Sequence, residues 1–208
     1  MARYRGPVCR LCRREGIKLM LKGDRCMTAK CAVERREYPA GEYAQRGRKL
    51  SPFGTQLREK QKARRIYGVL ERQFRKHFRA AQTRRGVTGE NLLQVLESRL
   101  DNVVFRMGFA RSRSQARQLV RHCHILVNDR PVTIPSYQVK LNERISVAQE
   151  SRQIVPIAES FDASRRSGLV PWIHRDEDQM SGYLERWPTV EEVQLPVKEQ
   201  LIVELYSR

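Results

Sequence analysis

Through the middle of the chain, apolar side chains return every three or four residues, the period of a helix with one buried face. Ser51-Pro52 reads as a helix start, serine as cap and proline in the first turn, and the basic run from Gln56 to Tyr67 carries it to Gly68. Leu70, Phe74, Phe78 and Ala81 then share one helical face, with Arg72, Arg75, Lys76 and Arg79 on the others and Arg84-Arg85-Gly86 closing the run. Thr88 caps a third helix that points Leu92, Leu93 and Leu96 inward, and Leu100, Val103, Val104 and Met107 predict a short fourth one stopped by Gly108. Ser112-Arg113-Ser114-Gln115 has the form of a capping box. It opens a helix whose Ala116, Leu119, Val120 and Cys123 form an apolar stripe, so Cys123 is expected as a small buried hydrophobe.

The period then changes to two. His124–Asn128 and Arg130–Ile134 read as strands joined at an Asn-Asp turn, and Arg144–Ala148 as a third. Residues 149–190 carry no readable period, because Pro156, Gly168, Pro171 and Pro188 interrupt it; Trp172 and Trp187 are expected as core or interface anchors. The last segment, Pro196–Arg208, predicts a helix burying Leu201, Ile202, Leu205 and Tyr206, whereas residues 32–50 read as a tether broken by Pro39, Gly41 and Gly47. The fold class this pattern predicts is α+β: a mainly helical first part, then helices with a small antiparallel sheet.

Charge decides what such a fold is for. The chain of 208 residues carries a formal net charge of +18. Residues 1–90 hold 25 Lys and Arg against 8 Asp and Glu, residues 91–150 hold 9 against 5, and residues 151–208 hold 7 against 10. Arginine outnumbers lysine 32 to 9, and a guanidinium fork grips phosphate in two places and stacks on bases. So dense a cationic half repels itself unless a polyanion neutralises it, and nucleic acid is the expected partner. Apolar runs of a few residues, such as Ile125–Val127, give no expectation of a membrane span, and the basic N-terminus none of a signal peptide; a cytoplasmic protein is expected.

Four of the five cysteines, Cys9, Cys12, Cys26 and Cys31, have the spacing Cys-x2-Cys-x13-Cys-x4-Cys. Two close pairs separated by a loop suit one tetrahedral structural zinc ion. Gly16 and the Lys22-Gly23-Asp24 turn would fold the intervening segment into a hairpin or knuckle, and seven nearby cations are expected to lower the thiol pKa values. An iron–sulfur cluster and unmetallated thiols stay open as alternatives.

Arg113, Arg117 and Arg121 lie four apart on the helix after Ser112, about 110° from its apolar stripe. They are expected to form a phosphate-binding stripe that can be removed without loss of folding. Together with Arg99-Leu-Asp before it and His124-Ile-Leu-Val-Asn after it, this unit resembles the RNA-binding module named after small-subunit ribosomal protein number four. Gly47-Arg-Lys-Leu-Ser-Pro-Phe-Gly-Thr, Tyr67-Gly-Val-Leu-Glu-Arg-Gln-Phe and the closing Glu-Gln-Leu-Ile-Val-Glu-Leu-Tyr-Ser extend the resemblance to the bacterial parent family over nearly the whole chain.

The resemblance implies a structural, non-enzymatic component of the small ribosomal subunit that binds the 5′ domain of its rRNA, nucleates assembly of the body, and contributes to decoding accuracy. It implies a neighbour, small-subunit protein number five, near the path by which mRNA enters, and neither a membrane nor a small-molecule substrate. Family members without all four cysteines imply that zinc orders the arm without being essential. The implied domains are residues 1–45, a zinc-binding arm; 46–98 completed by 180–208, a helical domain; and 99–179, the inserted module. The candidate RNA contacts of the basic half are Arg46, Arg48, Lys49, Arg58, Lys60, Lys62, Arg64, Arg65, Tyr67, Arg72, Arg75 and Lys76. Those carried over to the module are Arg99, Arg111, Ser112, Arg113, Gln115, Arg117, Arg121, His122 and Asn128.

Two other classes fit less of the chain. An RNA-modifying enzyme or synthetase using the same module needs a catalytic domain, and no Gly-rich phosphate loop or nucleophile–base pair stands out; the four histidines read as RNA-facing or surface residues. A zinc-dependent DNA-binding regulator would want a helix-turn-helix or a dimerising heptad, and neither accompanies the cysteines.

Overall fold

The computed structural model describes residues 3–41 and 50–207, so Arg46, Arg48 and Lys49 lie outside the described residues. In chain order the helices are α1 (Cys9–Glu15), α2 (Ala32–Arg35), α3 (Pro52–Ile66), α4 (Glu71–Gln82), α5 (Thr88–Glu97), α6 (Leu100–Arg106), α7 (Arg113–Arg121), α8 (Val155–Ser167), α9 (Val190–Val193) and α10 (Glu199–Tyr206). The strands are β1 (Ile125–Val127), β2 (Arg130–Pro131), β3 (Ile145–Val147), β4 (Ile173–Asp176) and β5 (Ser181–Leu184). Two compact units result. The first runs to Leu92 and resumes at Leu195; the second is Leu93–Gln194.

In the first unit, Ser51 Oγ accepts from the Gly54 N–H at 3.1 Å and Pro52 stands in the first turn, so α3 starts where its cap predicts. Helix α10 packs along α3. It is shorter than the sequence suggests and buries Ile202, leaving Leu201, Leu205 and Tyr206 half-buried. Phe74, Phe78 and Ala81 of α4 are buried, and the Phe78 ring lies 4.6 Å from that of Tyr206. His77 sits on this inner face, with Gln73 Nε2 3.4 Å from its Nε2, so it is a core histidine and not a surface one. The N-terminal segment is helical, α1 and α2 flanking a 3-10 turn at Gly23–Met27, with no hairpin among the described residues.

The second unit is built on a five-stranded antiparallel sheet of order β2-β1-β3-β5-β4. Register sets Ile125 opposite Val147, Val127 opposite Ile145, and Ile173 opposite Leu184. Strand alternation therefore places these six on one face, and all six are buried. The β1–β2 turn is the expected Asn-Asp pair, with φ of 49° at Asn128 and 62° at Asp129, the left-handed pair that a two-residue hairpin demands.

Three expectations change here. Helix α7 ends at Arg121, and Cys123 leaves it with φ 64° toward β1; its thiol is exposed instead of extending the apolar stripe. The stretch 149–190 is structured: Pro156 belongs to the first turn of α8, where a missing N–H costs nothing, and β4 and β5 pair beyond it. Residues 93–98 and 180–194 also lie in the sheet-bearing unit, so the helical unit stops at Leu92 instead of 98 and resumes at Leu195 instead of 180. Of the two tryptophans Trp172 is buried and Trp187 half-buried.

Candidate nucleic-acid interface

Helix α7 opens on a capped first turn. Ser112 Oγ accepts from the Gln115 N–H at 3.3 Å, and Gln115 Oε1 accepts from the Arg111 N–H at 2.9 Å. This is the capping box of the sequence, displaced by one residue at its second bond. The remaining first-turn N–H groups and the positive end of the helix dipole attract an anion.

The arginine stripe on α7 is not uniform. Arg117 is buried and donates to Asp101 Oδ2 at 3.1 Å; Arg99, also buried, donates to the same carboxylate at 2.8 and 3.2 Å. Both belong to the frame of the module, since each buried guanidinium is held there by the Asp101 carboxylate that they share. Arg113 is half-buried: its Nε donates to Asn102 Oδ1 at 2.7 Å and its guanidinium lies over the Phe105 ring, 4.5 Å from the centroid. Arg121 is exposed and has no partner among the described residues. Arg111 is exposed with Glu159 Oε2 at 2.5 Å, and His122 is exposed with its ring 6.2 Å from that of His124. Asn128 is exposed in its turn, where Oδ1 accepts from the Arg144 N–H at 3.0 Å.

In the helical unit, the cations of α3 serve mainly to bind helices to one another. Arg58 and Arg65 both reach Glu15 of α1, the former at 3.3 Å. Lys60 and Arg64 reach Glu71 of α4 at 2.9 and 3.5 Å, and Lys62 reaches Glu59 at 2.5 Å. Lys60 and Tyr67 are buried. Burial pushes the Glu15 carboxyl above its usual range despite the two arginines. On α4, by contrast, Arg72, Arg75 and Lys76 are exposed and, among the described residues, unpaired. Arg79, Arg84 and Arg85 extend the same exposed run. These three, with Arg130 and Arg144 beside the β1–β2 turn, are cationic positions that the candidate contacts omit; helical continuation of the α4 polar face was the signal for Arg79.

The four thiols of the arm are all unoxidised; Cys12, Cys26 and Cys31 are buried and Cys9 half-buried. Burial pushes the Cys12 thiol up, and its neighbours Cys26, Cys9 and Cys31 push in the same direction, while a backbone hydrogen bond at Leu19 opposes them. The lowering expected from surrounding arginines is not what sets this thiol, since burial is the largest cause of its shift; Arg13 donates to the Tyr38 and Pro39 carbonyls at 2.8 and 3.1 Å. The donor chemistry fits a thiophilic ion: four free thiols in one segment, with the Lys22 N–H directed at Cys26 Sγ, 3.4 Å away. The placement does not close around one, since no group of three or more His, Cys, Asp or Glu among the described residues is arranged to hold a metal ion. Nor is any helix among them long and apolar enough to cross a membrane.

Comparison with known proteins gives the family. Residues 3–97 match the family described as ribosomal protein S4/S9 N-terminal domain, and residues 98–145 match the S4 domain. Over all 208 residues of both chains, this one is 55% identical to the small ribosomal subunit protein uS4 of Trichlorobacter lovleyi. The proteins of the same name from Pelobacter propionicus and Geobacter sulfurreducens are 55% and 53% identical, again over the full length of each chain. A match of that extent, over the full length of each chain and with both family models in register along residues 3–145, shows that this chain belongs to the small ribosomal subunit protein uS4 family.

Proposed function

We propose that this chain is a structural, non-catalytic protein of the small ribosomal subunit, held there by direct contact with the 5′ domain of its rRNA. The observation that carries the reading is the full-length identity to proteins named for that subunit. The physical support is independent: α4 and the α7 end of the second unit expose arginines that no carboxylate among the described residues neutralises, notably Arg72, Arg75 and Arg121. An interface of this kind is polar and reads RNA shape more than base sequence. Nucleation of subunit assembly and a contribution to decoding accuracy beside protein number five follow from the family resemblance and belong to the same reading.

Footprinting the purified chain on naked small-subunit rRNA tests it. Protection confined to the 5′ domain, and preference for that fragment over mixed RNA at about 0.2 M salt, is expected; equal affinity for both would defeat the proposal, because phosphate attraction alone is already weak there.

For the arm we propose one structural zinc held by Cys9, Cys12, Cys26 and Cys31. Supporting it are the burial of three of the thiols, their mutual influence, and the N–H directed at Cys26. Bound zinc would supply a cross-link between α1, the 3-10 turn and the approach to α2. Elemental analysis of native protein should find one zinc per chain, lost in Cys9→Ser while the circular dichroism of the rest persists. Native protein without zinc would sink this part alone.

A further inference from the structure

Helix α6 sorts the arginines of α7. Asp101 holds Arg117 inside the unit, whereas the next residue, Asn102, meets Arg113 at the half-buried edge. The Asn102 amide has its orientation dictated from behind. Its Nδ2 donates to the Glu97 carboxylate at 2.6 Å and to the Glu97 carbonyl at 3.1 Å. Both are acceptors only, so the NH2 end must face them and the oxygen must face Arg113. Glu97 is itself fixed by Arg106, whose guanidinium donates to both carboxylate oxygens at 3.0 and 2.9 Å and lies over the Trp172 ring, 5.5 Å from the centroid. Phe105, three residues after Asn102 and on the same side of α6, supplies a ring beneath the Arg113 guanidinium.

We infer that Asn102 is a positioning residue for RNA binding: through the relay Arg106–Glu97–Asn102 it sets Arg113 in its binding orientation before the RNA arrives. The inference rests on the rRNA-binding reading above. Its physical content is pre-organisation. An exposed arginine must give up its rotamer freedom when it meets phosphate, but one already held at Nε and on one face gives up less for each bond formed. Arg113 is the first residue of α7, at the end of the helix whose dipole favours an anion. The arrangement also explains why a neutral amide stands at position 102. An aspartate there would face the Glu97 carboxylate across 2.6 Å, and any carboxylate under Arg113 would neutralise the charge meant for RNA.

The test uses the full-length chain, a 5′-domain rRNA fragment at about 0.2 M salt, and NMR of the Arg113 Nε–H in the free protein. Arg113→Ala is expected to weaken fragment binding by about tenfold to a hundredfold and to reduce the salt slope by about one, as for a single phosphate no longer gripped. Asn102→Ala is expected to lose most of that affinity, to abolish the slowly exchanging Arg113 Nε–H signal, and to cost nothing further in the Arg113→Ala background. Phe105→Leu, which keeps the helix face apolar, is expected to lose about twofold to fivefold by the same route, and serves where Asn102→Ala fails to fold. Losses that add independently, or an unchanged Nε–H signal, would overturn the positioning role. Undiminished binding by Arg113→Ala would overturn it too, while leaving the rRNA reading intact; failure of the parent chain to prefer the fragment would remove that reading itself.

Discussion

Asp101 and Arg121 lie on neighbouring helices of one unit and answer to different forces. Asp101 is buried between Arg99 and Arg117, so Asp101→Ala removes the buried carboxylate that two buried cations share. Urea unfolding should show a loss of about 3–5 kcal/mol in the stability of the second unit. Arg121→Ala should change stability by less than about 0.5 kcal/mol and instead weaken rRNA binding, measured by filter retention. The three-arginine stripe is consequently not a removable surface: losing Arg117 along with Arg113 and Arg121 costs folding as well as affinity. Glu71 gives a pH-dependent counterpart. Its burial alone would raise its pKa, but hydrogen bonds from Lys60 and Tyr206, with the charges of Lys60 and Arg64, outweigh that and hold it below the usual carboxylate range. A carboxyl depressed in the folded state contributes stability above its unfolded pKa, about 4.3, and loses it as pH falls through the folded value. Thermal unfolding followed from pH 6 downward should therefore show a shallower acid limb in Glu71→Gln than in the parent.

Helices α3 and α7 began where their caps stood in the sequence, because a cap is a local device: a serine oxygen reaches an N–H three residues on, whatever else the chain does. Ser112→Ala should accordingly destabilise the second unit by about 1 kcal/mol in denaturant unfolding and weaken RNA binding through a frayed first turn. Helix α8 and strands β4 and β5 were illegible for a reason of the same kind in reverse. The core-facing positions of β4 and β5 include Arg175 and Gly182, an interior guanidinium and a residue with no side chain, so the alternation has no apolar signature. A Cβ at Gly182 would collide with the His174 carbonyl, so the glycine is required by packing that its neighbours in sequence do not announce. Helix α4 behaves as its pattern predicts, one face buried and the other cationic. Replacing Arg72, Arg75, Lys76 and Arg79 together by Gln should leave the circular dichroism unchanged and lower the salt dependence of rRNA binding by about one unit for each phosphate that these cations neutralise. An unchanged slope would show that this face is solvated surface.

Taken as a molecule, the chain interrupts its helical unit at Leu92, builds a sheet-bearing unit from its middle, and returns at Leu195. The return is what allows α10 to pack on α3 and to place Tyr206 against Phe78 and within 2.8 Å of Glu71. Net charge, the spacing of four cysteines, the caps of α3 and α7 and the apolar faces of α5 and α6 were all legible in residue order, because each depends on composition or on neighbours within a turn or two; the faces of α4 and α7 were legible except at their ends, where Leu70 and Cys123 are exposed. The partition of the cations was not. Arg113, Arg117 and Arg121 are the same residue type four apart on one helix, yet Asn102 holds the first at the edge, Asp101 takes the second inward together with Arg99, and the third faces solvent. Which arginine is frame and which is interface depends on the carboxylates and rings that other elements bring within about 3–5 Å, a range over which charge and dispersion act strongly and sequence separation has no meaning.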